Sequence, residues 1–282
     1  MNTTFGIIGG DKRQLYLARS IMKDGYNVYV SGFELSSDTS GIAEIPVERL
    51  VGLCDNIILP VPSTRDGATV FAPYSSEAIV ADDGFIMSLM NKNVYGGLMN
   101  KLAVNNDLWS KVSYNDYYLC EEFAISNAVP TAEGALAIAV NEHPGMLCSS
   151  KCLVTGYGRV GKILTKMLLG LGADVTVAAR KPRDMALVRG MGAKPKKYAD
   201  LTECYDVIFN TVPETVVTKK IIDRQNENTV LIELASLPGG IDRKAAAIKG
   251  VKVIDAQSLP GKVAPKAAGE FIKETIYNML EE

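Results

Sequence analysis

Short apolar runs alternate with amphipathic stretches along most of the chain, a pattern that predicts strands and helices wound into parallel α/β layers. Residues 5–8 form an apolar run entering the glycine turn Gly9-Gly10, residues 14–23 carry apolar positions at helical spacing, and residues 27–33 read as a second strand. A further strand over 54–59 runs into the polar loop 60–67. Residues 84–89 read as another strand, followed by a glycine-containing loop around Asn91 and Tyr95-Gly96-Gly97. Pro130 interrupts the pattern: it is expected to stop what precedes it, with Thr131 as the N-cap of a helix running to Glu142. Beyond it the alternation resumes, with strands over 151–154, 174–179, 205–213, 230–236 and 251–255 and a helix over 162–171. The stretch 258–269, rich in proline and glycine, reads as a loop leading into a last helix over 270–280.

The fold class expected from this pattern is α/β, with two doubly wound parallel-sheet domains, the second a Rossmann dinucleotide-binding domain, and a C-terminal helix packing back on the first. The expected boundaries are an N-terminal, substrate-side α/β domain at 1–128, an interdomain helix at 129–146, the Rossmann domain at 147–258 and a returning loop and helix at 259–282. That return would close two connections around a cleft, with Lys262 and Lys266 near its edge.

The chemistry begins at Gly156-Tyr157-Gly158-Arg159-Val160-Gly161, which falls on a strand-to-helix turn. There the first glycine permits the tight turn, the second lets a pyrophosphate approach the backbone, and the third lets helix and strand pack closely. The end of the following strand selects the cofactor, because an acidic residue there grips a free ribose 2′-hydroxyl and an arginine suits a 2′-phosphate. This chain has Arg180, Lys181 and Arg183, with no carboxylate before Asp184, which points to NADP rather than NAD. The ends of the later strands, Thr211-Val212-Pro213 and Ala235-Ser236, are expected to face the cofactor. The first glycine turn, residues 9–14, lacks the full fingerprint and is assigned to the substrate side or to structure.

Composition narrows the picture. A chain of 282 residues, 47% hydrophobic and 22% charged, can bury two cores. Its net charge of -2 offers no polybasic surface, so nucleic acid is not an expected partner. No apolar run approaches the roughly 20 residues needed to cross a bilayer, and the N-terminus lacks the charged start and apolar core of a signal peptide. A cytoplasmic protein without a membrane segment is the expectation. Five cysteines without a Cys-x-x-Cys pair read as reduced, mostly buried thiols. The single histidine, His143, leaves no metal site expected and reads as a capping or surface residue.

Several segments together carry a family resemblance: Ile8-Gly-Gly-Asp-Lys-Arg-Gln14, Pro130-Thr-Ala-Glu133-Gly134, Gly156-Tyr-Gly-Arg-Val-Gly161, Leu234-Ala-Ser-Leu-Pro-Gly-Gly-Ile-Asp242 and Leu259-Pro-Gly-Lys-Val-Ala-Pro-Lys-Ala-Ala-Gly269. In this order they resemble the family of dipicolinate synthase A subunits over nearly the whole chain. The resemblance implies a cytoplasmic protein of the mother cell of a spore-forming bacterium, acting with the smaller, flavoprotein-like B subunit of dipicolinate synthase. It also implies pyridine-2,6-dicarboxylate as product, made from the tetrahydrodipicolinate branch of lysine synthesis. The two-domain layout is similar to that of the D-2-hydroxyacid dehydrogenases as well, but their catalytic histidine has no counterpart, since His143 lies far from any matching motif.

A dicarboxylate substrate calls for cations and hydrogen-bond donors. The candidates are Arg13, Arg65, Lys262 and Lys266, with Ser63, Thr64 and Ser236 as donors. For a base the candidates are Glu133 and Asp242, although Glu133 also suits the first turn of a helix, where the dipole stabilises a carboxylate. Three readings stay open at this stage. The chain is an NADP-dependent dehydrogenase forming dipicolinate, a dehydrogenase or reductase of another small carboxylate, or a nucleotide-binding partner protein without chemistry of its own. Self-association into a homo-oligomer is expected for an α/β protein of this size.

Overall fold

The structure, a computed structural model, describes residues 3–281. The chain divides into two compact units, one formed by the chain up to Ser126 together with the segment from Ala264 onward, the other by Asn127–Val263.

In the first unit the order is β1 (Thr4–Ile8), α1 (Lys12–Lys23), β2 (Asn27–Ser31), β3 (Ala43–Glu44), α2 (Val47–Leu53), β4 (Asn56–Ile58), α3 (Asp83–Ser88), β5 (Asn93–Gly96), α4 (Asn100–Asn105) and β6 (Tyr114–Asp116), ending in the start of α5 (Glu121–Glu142). Among the described residues these strands form one parallel sheet ordered β3-β2-β1-β4-β5-β6. Neighbouring residues of a strand feed opposite layers, since successive side chains alternate. Ile7 and Ile58 enter one buried cluster with Leu15, Leu17 and Ile21 of α1, while Ile8 and Ile57 enter the other with Leu50 and Trp109.

The second unit runs β7 (Lys151–Thr155), α6 (Arg159–Gly170), β8 (Asp174–Ala178), α7 (Pro182–Gly190), β9 (Lys194–Lys196), β10 (Val207–Asn210), α8 (Lys219–Ile222), β11 (Val230–Glu233), α9 (Arg243–Lys249), β12 (Lys252–Asp255) and α10 (Leu259–Val263). Its parallel sheet is ordered β12-β11-β10-β7-β8-β9, the doubly wound Rossmann order, with the reversal between β7 and β10.

The last helix, α11 (Pro265–Glu281), belongs to the first unit and packs on α1, as expected. Gly269 permits the close approach: an added Cβ would come within 2.7 Å of the Arg13 carbonyl oxygen. Ile272 and Ile276 are fully buried, Ser20 donates to Glu270 at 2.7 Å, and Lys273 and Tyr277 both donate to Asp24 at 2.9 Å.

Four expectations about secondary structure are corrected. Residues 84–89 are not a strand: Asp82 caps α3 by accepting from Phe85 N at 2.8 Å, and Phe85, Ile86 and Leu89 bury one helical face. The loop expected around Tyr95 is β5, with Val94 and Tyr95 buried between β4 and β6. The stretch expected as a tail loop is helical from Leu259, because Pro265 opens α11 rather than blocking it, and a first-turn proline loses no intrahelical bond.

The fourth concerns Pro130, which lies inside α5 and does not end it, so Thr131 is not an N-cap; its hydroxyl donates to the Asn127 carbonyl at 2.8 Å. Buried positions continue at helical spacing through the proline, at Ala128, Ala132, Ala135 and Ala139, and that packing outweighs one lost hydrogen bond. By length and composition α5 is therefore apolar enough to cross a bilayer, a run that Pro130 divides when propensity alone is read. Its Ala132, Ala135 and Ala139 lie in the core of the second unit. The thiols also differ from expectation: Cys54 and Cys152 are buried, Cys120 is half-buried, and Cys148 and Cys204 are exposed. Burial pushes Cys54 up to about 11 and Cys152 up to about 12, which leaves both as inert thiols at neutral pH.

Candidate functional site

Two of the three fingerprint glycines of the second unit, Gly156 and Gly161, answer to a measurable constraint. Gly156 has φ +92°, and a Cβ there would also meet Thr211 Oγ1 at 2.6 Å. At Gly161 a Cβ would stand 2.3 Å from the Gly156 carbonyl oxygen, so helix α6 is pressed against its own turn. Gly158 is the opposite case: nothing lies within 4 Å of an added Cβ, and the residue serves as N-cap of α6 without a side-chain bond. The N-terminus of α6 thus receives no side-chain cap from Gly158 and faces open space there, and this fits a pyrophosphate. The buried ring of Tyr157 packs in the core and its hydroxyl donates to Met191 Sδ at 2.8 Å, so only its backbone is left to the turn. Arg159 is exposed and Val160 half-buried in the first turn of α6.

At the end of β8, Arg180, Lys181 and Arg183 are exposed, and Lys181 is the N-cap of α7. Arg180 Nη1 lies 3.6 Å from Glu214 Oε2 on the loop after β10. That loop begins with Thr211, whose hydroxyl donates to the Thr155 carbonyl at 2.7 Å; Val212 is half-buried and Pro213 exposed. After β11, Ala235 is buried and Ser236 exposed. Sequence reasoning missed three residues here, Thr155, Asn210 and Glu233, which form a buried hydrogen-bonded row across the ends of β7, β10 and β11. Their signal was present: each closes an apolar run with a polar side chain.

The first glycine turn is closed by the protein itself. Asp11 caps α1 with a capping box to Gln14, so a carboxylate already occupies the helix N-terminus. Gly10 N donates to the Phe71 carbonyl at 2.7 Å, and a Cβ at Gly9 would lie 2.9 Å from that same oxygen. Arg13 is buried, with Nε and Nη2 donating to Asp11 at 2.8 and 2.9 Å and Nη2 also to the Val61 carbonyl. Ser63 is fully buried and donates to the Pro60 carbonyl at 2.9 Å; the Thr64 hydroxyl donates to Asp66 at 3.0 Å. Backbone and hydroxyl donors from Thr69, with Ala68 N and Thr64, hold the Asp66 carboxyl well below the usual range. Arg65 is the exposed cation of this loop, its guanidinium carbon 4.2 Å from the Phe71 ring centroid.

Residues 4–112 match the family described as the N-terminal domain of the dipicolinate synthase A subunit, and residues 139–230 match the NAD binding domain of D-isomer specific 2-hydroxyacid dehydrogenases. The dipicolinate synthase A subunit of Bacillus subtilis (strain 168) is 31% identical over 286 residues, covering 98% of this chain and 95% of the relative. The chain belongs to the family of dipicolinate synthase A subunits. Two solved structures of the family share its fold over the full length. The Bacillus subtilis protein superposes with a TM-score of 0.87 at 28% identity, covering 100% of this chain and 96% of that one. The Bacillus halodurans protein does so with 0.89 at 29%, covering 100% and 99%.

In this member of the dipicolinate synthase family, the remaining predicted residues fall as follows. Glu133 is exposed on α5, and no hydrogen bond or ion pair engages its carboxylate among the described residues. Asp242 is the N-cap of α9 and accepts from Ala245 N at 3.0 Å. Lys262 is exposed in α10 of the second unit, and Lys266 is exposed in the first turn of α11 of the first. His143 follows α5 and is half-buried, with Nε2 3.2 Å from Ser150 Oγ. The domain match and the sheet order make the second unit a nicotinamide dinucleotide domain and the protein an oxidoreductase by family.

Proposed function

We propose that this protein oxidises a dihydrodipicolinate or 4-hydroxy-tetrahydrodipicolinate ring to dipicolinate with NADP as acceptor. The observation that carries the cofactor reading is the open space beside Gly158 together with a β8 end bearing Arg180, Lys181 and Arg183. The proposed product is supported by the full-length likeness to a relative named for dipicolinate synthase. Loss of water from the hydroxy-tetrahydro ring gives the dihydro ring, and removal of one hydride and one proton from that gives the aromatic pyridine. NADP supplies the hydride acceptor when bound.

Aromatisation provides driving force, so the chain's own residues have mainly to orient the ring and take the proton. Glu133 is the proposed base, because Asp242 is already engaged as a helix cap. Arg65 is the proposed carboxylate ligand of the first unit, its guanidinium held over the Phe71 ring, with Lys262 and Lys266 as further cations. Arg13, Ser63 and Thr64 serve this reading by shaping the loop that carries Arg65. The name of the relative implies a second protein in the complex. We place this chain in the cytoplasm of the mother cell, self-associating and acting with the flavoprotein-like B subunit.

The test supplies purified protein with NADP, or NAD, and freshly generated dihydrodipicolinate precursor, with and without the B subunit. NADPH absorbance and dipicolinate are followed in parallel. Equal amounts of both from this chain alone support the reading. Dipicolinate formed without NADPH, or only when the B subunit carries a flavin, would move the chemistry off this chain.

A further inference from the structure

Strands β10 and β11 and strand β7 lie side by side in the second sheet, and each ends its buried apolar run on a polar residue. Thr155, Asn210 and Glu233 are all fully buried. Thr155 Oγ1 donates to Asn210 Oδ1 at 2.5 Å, and Asn210 Nδ2 donates to Glu233 Oε1 at 2.6 Å and to the Val212 carbonyl at 2.9 Å. The Glu233 carboxylate also collects three backbone donors: Ala235 N on Oε1 at 3.2 Å, and Gly240 N and Ile241 N on Oε2 at 2.7 and 3.1 Å. A buried carboxylate is tolerated only with such a full set of partners, and an apolar residue would suffice if burial were its only role. What the carboxylate achieves is to fold the segment from Ala235 to Ile241 back onto the strand ends and to tie it, through Asn210, to the loop beginning at Thr211.

The two halves of this sheet type each take one mononucleotide. The Gly156 turn and the end of β8 serve the adenine half, so the ends of β10 and β11 face the nicotinamide half. We propose that Glu233 is a positioning residue for the nicotinamide half of the dinucleotide, acting through Asn210 and Thr155 on the two loops that hold it. The inference rests on the reading of the second unit as a dinucleotide site.

Glu233→Gln tests it with little change of volume. Whichever way the new amide turns, its NH2 meets donors, either Asn210 Nδ2 and Ala235 N or Gly240 N and Ile241 N. Calorimetric titrations of the full chain with NADP, NAD and adenosine 2′,5′-bisphosphate separate the halves. Glu233→Gln should weaken NADP by roughly tenfold or more, while the adenosine bisphosphate stays within about twofold. Thr155→Val, nearly the same shape, should shift the same pair in the same direction by a few-fold, and it decides the matter if Glu233→Gln does not fold. Equal losses for dinucleotide and fragment would show a general structural role, and no loss for either would show no role; both overturn the proposal. A wild-type protein that binds neither dinucleotide would instead remove the reading on which the inference stands.

Discussion

Adding one methyl group at Gly158 should separate binding from stability. In the free protein the added carbon meets nothing within 4 Å, and the backbone at φ -83° and ψ -160° is open to alanine. Two small terms oppose each other. Alanine narrows the unfolded ensemble by about 0.4–1 kcal/mol, and it is a poorer N-cap than glycine by a similar amount. The melting temperature of Gly158→Ala should therefore stay close to that of the wild type. The same methyl fills the space where a pyrophosphate would approach the N-terminus of α6, and overpacking of that kind costs about 1–3 kcal/mol. Affinity for the dinucleotide should fall by roughly 5- to 150-fold.

Gly161→Ala is the matched control. Its methyl would stand 2.3 Å from the Gly156 carbonyl oxygen, a backbone atom that cannot swing aside. Stability should drop by about 1–3 kcal/mol, or roughly 2–4 °C of melting temperature per kcal/mol. Thermal melts and calorimetric titration of both variants provide the comparison. Undiminished NADP and NAD binding by a folded Gly158→Ala would refute the reasoning, and so would a melting temperature lowered as far as that of Gly161→Ala.

Other substitutions test other links. Arg180→Asp removes a proposed partner of the 2′-phosphate and should weaken NADP by about 10- to 100-fold in titrations while NAD changes little. Stability should hold, because the Arg180–Glu214 pair is 74% and 69% exposed. Asp242→Ala should lower stability by about 1 kcal/mol through loss of the α9 cap and leave turnover intact, whereas Glu133→Gln should abolish turnover without moving the melting temperature. A hydrogen bond from Lys273 holds Asp24 below its ordinary 3.8, so its contribution is present above that value and disappears as pH falls through the folded value. Melts from neutral to acid pH should show Lys273→Met less stable by up to about 1 kcal/mol near pH 7, with the gap closing below about pH 3.8.

Where local rules and tertiary packing agreed, the sequence sufficed. Strands β7, β10 and β11 are apolar runs buried on both faces, and the glycine fingerprint sits between the first of them and an amphipathic helix. Misreadings came where a local signal was weighed without its packing. Residues 84–89 read as a short strand, yet Asp82 supplies a helix cap and the burial of Phe85, Ile86 and Leu89 fixes the helical period. Pro130 is a breaker by propensity, but buried alanines on both sides continue the same face. The substrate-side residues were the least legible, because sequence shows that Arg13 is cationic and not that its fork faces Asp11 and the Val61 carbonyl.

The two glycine turns show what separates an anion site from a closed turn of similar composition. Both follow a buried first strand of a parallel sheet and lead into an amphipathic helix. In the first, the N-cap is Asp11 and the residue three further on is Gln14, and the resulting capping box supplies internal partners to the helix N-terminus. An anion there would meet a carboxylate already in place, under a backbone segment bonded to Gly10 through the Phe71 carbonyl. In the second, the N-cap is Gly158, which has no side chain to offer and leaves open space beside the N-terminus of α6. The identity of one N-cap residue, readable from the chain, therefore assigns dinucleotide chemistry to the second unit, and it leaves the first turn a structural support for the loop that carries Arg65.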